Sequence, residues 1–261
     1  MTVRVVTATR YVTPLREGGS LPAIAEGDDL GTYVLKFRGA GQGPKVLIAE
    51  LVAGEIGRGL GLPVPEIVLK EVDPALGRSE PDFEIQDLIK ASPGMNLALD
   101  YLPGSFAFDP LLTPPPDSTL ASAIVWFDAY ISNVDRTIRN TNMLIWHRQL
   151  YLIDHGSALY VHHSGSDFAR RSRDPFPQIR DHVLLPLAAA LTEADSALAP
   201  RISGEMLEEI MKQIPDLWLE QQPGARSAEE QRAAYVTYLL DRLEAPRAFV
   251  EEAVHARAQL V

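Results

Sequence analysis

The chain has 261 residues, 46% of them hydrophobic and 23% charged, with a formal net charge of −11 and no cysteine. This composition is that of a soluble globular protein, long enough for one large or two smaller cores. The acidic surplus opposes broad electrostatic binding to nucleic acid or to an anionic membrane surface, and the lack of cysteine excludes disulfides, thiolate zinc sites and cysteine nucleophiles.

No apolar run approaches the roughly 20 residues that cross a bilayer. The opening MTVRVVTATRYVTP lacks the basic, apolar, small-residue order of a signal peptide, so a cytoplasmic protein is expected. Residues 3–13 alternate and carry β-branched side chains, which predicts a strand. A polar stretch containing Gly18, Gly19 and Ser20 follows, with a turn at Gly31. Tyr33 to Phe37 is a short apolar strand interrupted by Lys36, whose ammonium is costly to bury unless it meets anions. The same pattern also fits an edge strand whose lysine reaches solvent. Val46, Leu47, Leu51, Val52 and Ile56 recur at helical spacing and predict a helix from Lys45 to Gly59. Glu50 lies beside its apolar stripe and Glu55 on another face. Gly61 and Pro63 end it. Strands are predicted over 66–72 and 83–90, and residues 92–116, rich in glycine and proline, read as an irregular connection.

Asp117 or Ser118 then caps a helix carrying Ile124, Val125, Phe127, Ala129 and Ile131. It runs into the polar loop NVDRTIRNTN, residues 133–142, and two short strands, Met143 to Trp146 and Leu150 to Ile153, joined by His147-Arg148-Gln149. The second strand ends in Asp154-His155-Gly156. A loop followed by a hairpin folds the chain back, so Asp135, the pair Asn140 and Asn142, and Asp154 can meet at one end of the sheet. That order suits phosphoryl transfer, where positioning and charge neutralisation do most of the catalysis. One carboxylate faces the attacking hydroxyl, while an amide oxygen and a second carboxylate hold magnesium, a hard cation that takes few protein ligands.

The stretch NVDRTIRNTN…LIDHG resembles the catalytic and metal-binding loops of protein-kinase-like enzymes, above all the HipA-like kinases of bacteria. Its Asp-Arg pair, followed by Asn and an apolar triplet, is also similar to phosphatidylinositol kinases, with Thr137 where those have His. The resemblance implies an α+β, two-lobed protein-kinase-like fold. Residues 1–91 would form a small β-rich nucleotide-binding lobe and residues 92–261 a mainly helical catalytic lobe. It also implies Asp135 as catalytic acid/base and Asp154 as a magnesium ligand. Spacing from the acid selects Asn140 as the amide ligand; position directly before the strand selects Asn142. Lys36 would orient the α and β phosphates and Glu50 would hold Lys36, with Glu55 as fallback. Gly18, Gly19 and Ser20 would approach the phosphates, and the backbone of Leu88 to Ala91, at the end of the predicted 83–90 strand, would meet the adenine.

Residues 160–176 are rich in His, Ser and Arg without periodicity and fall where kinases keep an activation loop. Residues from Pro177 onward read as helical, with a capping box at Ser227 and Glu230 and a final helix over 247–260. The expected activity is an ATP- and Mg2+-dependent kinase acting on a hydroxyl acceptor, with protein Ser/Thr or a small molecule as candidates. The alternative is a nucleotide-binding pseudokinase of the same fold. A metal-dependent hydrolase built on Asp154, His155, His162 and His163 is a third, weaker class, because adjacent histidines on a strand face opposite ways.

Overall fold

The computed structural model describes residues 2–15, 21–41, 43–111, 114–164, 168–219 and 226–260. Strands β1 (Arg4–Pro14), β2 (Ala23–Gly27), β3 (Thr32–Lys36), β4 (Ile67–Val72) and β5 (Gly94–Asp100) close into a barrel in the order β1-β2-β3-β5-β4. The β1–β4 pair is parallel and the others antiparallel. Side chains alternate as the pleat requires. Tyr33, Leu35, Val68, Val72 and Ala98 fill the barrel, whereas Ile67, Leu69, Leu97 and Leu99 belong to a larger core that continues through the helices.

Helix α1 (Pro44–Gly59) connects β3 to β4 and is buried from Leu47 to Gly57. It lies so close to β4 that a Cβ at Gly54 would sit 2.3 Å from Ile67 Cδ1. Beyond the barrel, α3 (Ser118–Tyr130) is capped by Asp117, whose carboxylate accepts from the Thr119 N–H. Strands β6 (Phe106–Ala107), β7 (Met143–Trp146) and β8 (Gln149–Leu152) form a small sheet. His147 and Arg148 make the hairpin turn with φ of 48° and 65°, the backbone form that matches strand twist in two-residue turns. Helices α4 (Leu191–Leu198), α5 (Gly204–Lys212), α6 (Ala228–Leu243) and α7 (Ala248–Ala258) complete the chain, α6 opening with the Ser227/Glu230 capping box. Trp126 and Tyr130 of α3 stack at 5.5 Å and both pack on Phe249 of α7. Among the described residues no helix is long and apolar enough to cross a membrane.

Three expectations are corrected. Residues 83–90 form helix α2 (Phe83–Lys90), not a strand. Asp82 caps it, and Ile85 and Ile89 are its buried residues, a spacing of four that a helix satisfies and a strand face also allows. The strand lies later, as β5, so the barrel continues past residue 91, and the 92–116 connection contains both β5 and β6. Residues 177–190, within the stretch read as helical, form the short 3-10 turns Pro177–Asp181 and Leu185–Leu187 and no α-helix; in the second, Pro186 cannot donate to a helical ladder.

Lys70 of β4 points into the barrel, fully buried, and its ammonium has no hydrogen-bond partner. It rests 4.2 Å above the Tyr33 ring. Burial lowers its pKa from 10.5 to about 8. The unfolded chain therefore binds more protons than the folded one between those values, so stability should climb as pH rises from about 8 toward 10.5. Lys70→Met should remove that rise and stabilise the protein at neutral pH by about 1–3 kcal/mol. Urea titrations of both proteins across this pH range check both effects.

Candidate active site

Residues alternating along β3 put Val34 and Lys36 on the face opposite Tyr33 and Leu35. There Lys36 meets Glu50 of α1 at 2.6 Å, and the same ammonium lies 2.6 Å from Asp154 Oδ1, just past β8. Burial opposes both charges of the inner pair. For Lys36, the charges of Glu50 and Asp154 outweigh it and raise the pKa. For Glu50, burial is outweighed by Lys36 first and then by His155, and the carboxyl stays well below its usual range. Glu50 is wholly buried, while the Asp154 side chain is 49% exposed. Asp154 thus presents a carboxylate to the cleft and keeps one oxygen on the lysine.

The turn after Asp154 is held against α1. His155 is wholly buried with Nδ1 3.5 Å from Glu50 Oε1. A Cβ at Gly156 would lie 2.6 Å from Val46 Cγ1, so only glycine lets the turn sit this close to the helix. Asp154 itself has φ 56° and ψ 63°, and Asn142 has φ 46°. Both are left-handed conformations that residues with a Cβ adopt only at a cost.

Asp135 begins the loop opposite. Its N–H donates to Asn133 Oδ1 at 3.2 Å, and its Oδ2 accepts from Asn140 Nδ2 at 2.8 Å. Asn142 Nδ2 is 3.4 Å from the same oxygen. Burial raises the Asp135 pKa, and the charge of Asp154 adds to it. Beneath the loop, Asp128 of α3 is fully buried and accepts from Arg136 Nε at 2.6 Å, His182 at 2.9 Å and Asn133 Nδ2 at 2.9 Å.

These elements enclose a cleft of about 720 Å³, a size suited to a small-molecule ligand. Val34, Leu99, Leu102, Leu144 and Ile153 supply apolar wall; Lys36, Asp135, Asn140 and Asp154 supply its charged and amide groups. Leu88 and Ala91 do not line it, because they lie on α2 and at its end, whereas Asp100, Tyr101 and Leu102, at and just after the end of β5, do. Gly18, Gly19 and Ser20 lie outside the described residues, although Leu15 and Pro22 on either side line the cleft. Glu55 pairs with Arg58 instead of Lys36. His162 and His163 lie on the 3-10 turn Tyr160–Ser164 with their Nε2 atoms 3.2 Å apart, not on opposite faces of a strand, but no three His, Cys, Asp or Glu side chains cluster for a metal among the described residues. A donor set of one exposed carboxylate and neighbouring amides fits magnesium, which keeps waters and phosphate oxygens, better than a zinc cage.

Asp128 and His182 were not among the residues singled out from sequence. A lone carboxylate inside the apolar run IVWFDAY was the available sign of the first; the second had none.

A strand lysine paired to a helix glutamate, with an acid–amide loop and a hairpin acid around one cleft, defines a kinase-like site on an α+β fold. The chain belongs to the HipA-like kinase family, whose model matches residues 9–251. Its structure is similar to that of the Helicobacter pylori proinflammatory kinase CtkA, with 13% identity, a TM-score of 0.56 and 100% of each chain covered. It is also similar to the Golgi casein kinase with Mn/ADP bound, with 11% identity and a TM-score of 0.47 over 95% of this chain and 74% of that one. At such identity the likeness to CtkA concerns the fold. No curated protein matches the sequence.

Removing Lys36 strands Glu50 as a buried charge, whereas removing the Glu50 charge leaves Lys36 with Asp154. Lys36→Met should therefore cost about 3–5 kcal/mol of stability and Glu50→Gln clearly less. Urea unfolding of the two variants gives the order; the reverse order would show that Asp154 does not support the lysine.

Proposed function

We propose that the protein is an ATP- and magnesium-dependent kinase that transfers the γ-phosphoryl group to a hydroxyl, with protein Ser/Thr as the acceptor class. The observation that carries this is the single ammonium of Lys36 shared by buried Glu50 and cleft-facing Asp154. Such a lysine is held rigid and charged at the mouth of an apolar pocket, which suits phosphate oxygens. In this reading the barrel through β5 acts as the nucleotide lobe and the remainder as the catalytic lobe. The backbone of Asp100 to Leu102 would meet the base, and Leu15 and Pro22 line the cleft on either side of the sequence Gly18 to Ser20, the proposed phosphate-binding residues.

Magnesium, when bound, would neutralise phosphate charge; Asp154 and the amide oxygen of Asn140 or Asn142 are the residues that would hold it. Asp135 orients the acceptor hydroxyl and takes its proton as the new O–P bond forms and the bond to the β-phosphate oxygen breaks. Its raised pKa suits it to accept a proton late in a loose transition state. Lys36 stays protonated throughout and keeps the phosphates in line.

Two measurements test the reading. Purified protein with γ-labelled ATP and magnesium, alone and with cell lysate, should transfer label, and Asp154→Ala should abolish it. ATP-dependent thermal stabilisation with no label in either protein would instead identify a nucleotide-binding module. Where transfer occurs, kcat should fall on the acid side through the titration of Asp135, at a pH above the ordinary aspartate range because burial raises that pKa. Asp135→Asn should flatten this limb and reduce kcat by about 10²-fold or more while nucleotide binding persists.

A further inference from the structure

We infer that His182 is a positioning residue of the phosphoryl-transfer site: through Asp128 and Arg136 it fixes the backbone on which Asn142 and Asp154 are mounted. The inference rests on the kinase reading for its consequence, but its geometry stands separately.

His182 follows the turn Pro177–Asp181 and is buried. Its Nδ1 accepts the Leu184 N–H at 3.0 Å. That bond leaves the ring proton on Nε2, which donates to Asp128 Oδ2 at 2.9 Å. A neutral imidazole thus gives the buried carboxylate another hydrogen bond without adding a charge. Asp128 and Arg136 remain a balanced pair, each with its side chain fully excluded from water. A second cation there would leave uncompensated charge in a dry site; burial accordingly depresses the His182 pKa.

Arg136 is the link to the chemistry. Its Nε is spent on Asp128, and its Nη1 donates to the Asn142 carbonyl and reaches the Ile153 carbonyl at 3.5 Å. Those carbonyls flank the two left-handed residues of the site: Asn142 at φ 46°, and Asp154, next after Ile153, at φ 56°. Asn and Asp enter that region more readily than other residues with a Cβ, and surrounding contacts select it over the commoner ones. The guanidinium bridging both strands is such a contact, and its own orientation depends on Asp128. The main chain adds a second tie, since the Val183 N–H donates to the Arg136 carbonyl at 3.1 Å and Thr137 forms an isolated bridge with His182. The segment after the activation-loop-like stretch therefore braces the catalytic loop from below, at residues that touch no substrate.

Glutamine and asparagine separate the two bonds of the imidazole. A glutamine amide can occupy the Nε2 position and donate to Asp128; an asparagine oxygen can occupy the Nδ1 position and accept from Leu184 but cannot reach Asp128. The test compares full-length wild type with His182→Gln, His182→Asn and His182→Ala. Circular dichroism verifies folding. Label transfer from γ-labelled ATP, to the protein itself or to an acceptor in cell lysate, gives kcat and the KM for ATP, and calorimetry gives ATP affinity with and without magnesium. His182→Gln should stay near wild type. His182→Asn and His182→Ala should lose about 10–100-fold in kcat and in the magnesium-dependent gain in affinity, the range typical of groups that orient metal ligands, with magnesium-free ATP affinity unchanged. If His182→Ala does not fold, the Gln and Asn variants decide. Equal behaviour of Gln and Asn, or an Ala variant matching wild type in both readouts, overturns the inference. If the wild type transfers no label, the kinase reading fails, and the magnesium-dependent gain alone decides the role of His182; a wild type lacking that gain as well overturns it.

Discussion

The site depends on one ammonium held between two carboxylates. Lys36 is carried by a barrel strand, Glu50 by the helix beside it and Asp154 by a turn after a separate hairpin, so three elements distant in sequence are tied at a single atom. The asymmetry of burial matters as much as the distances. Glu50 is sealed, which makes its charge tolerable only while Lys36 stays protonated, and Asp154 is half open, which leaves it able to meet a ligand. A buried pair alone would be an uncertain source of stability. With one arm open to the cleft, the same pair fixes a charge at the mouth of the pocket.

Packing makes this arrangement possible. α1 is buried along most of its length and touches the barrel, the Asp154 turn and α5. Two glycines set its distance from its neighbours: Gly54 against Ile67 of β4, and Gly156 of the turn against Val46 of the helix. Either contact, enlarged by a methyl group, would push the helix from the strand or the turn from the helix, and the Lys36 contacts would lengthen together.

A second buried network supports the opposite wall. Asp128, Arg136 and His182 meet under the 133–142 loop, and their hydrogen bonds end on the carbonyls of Asn142 and of Ile153, next to Asp154. The upper network places side chains directly; the lower one places backbone. Lys70 is the contrasting case, a buried ammonium with no hydrogen-bond partner, resting on a tyrosine ring, whose pKa burial depresses to about 8 against the opposing charges of Asp29 and Asp28. Similar burial has opposite consequences for two lysines because only one of them meets carboxylates.

The sequence by itself determined what is local. The order of acid, amide, hairpin and acid from Asp135 to Asp154 is set by short chain separations, and the helical spacing of α1, the Asp117 cap and the Ser227 capping box are read within a turn or two of backbone. Lys36 and Glu50 were legible because an isolated charge in an apolar strand and another beside an apolar stripe each need a reason. Tertiary structure decided the rest. Residues 83–90 are a short apolar run whose spacing suits either a helix or a strand, and the place in the barrel went to Gly94–Asp100. The cleft wall moved with it: Asp100 to Leu102 line the cleft, and Leu88 and Ala91 do not. His182 lies 54 residues from Asp128, and no periodicity or motif couples two polar residues at that distance. Only the packing of residues 177–187 against α3 brings them together, because a buried carboxylate needs its oxygens hydrogen-bonded and the fold supplies the donor from wherever the chain passes.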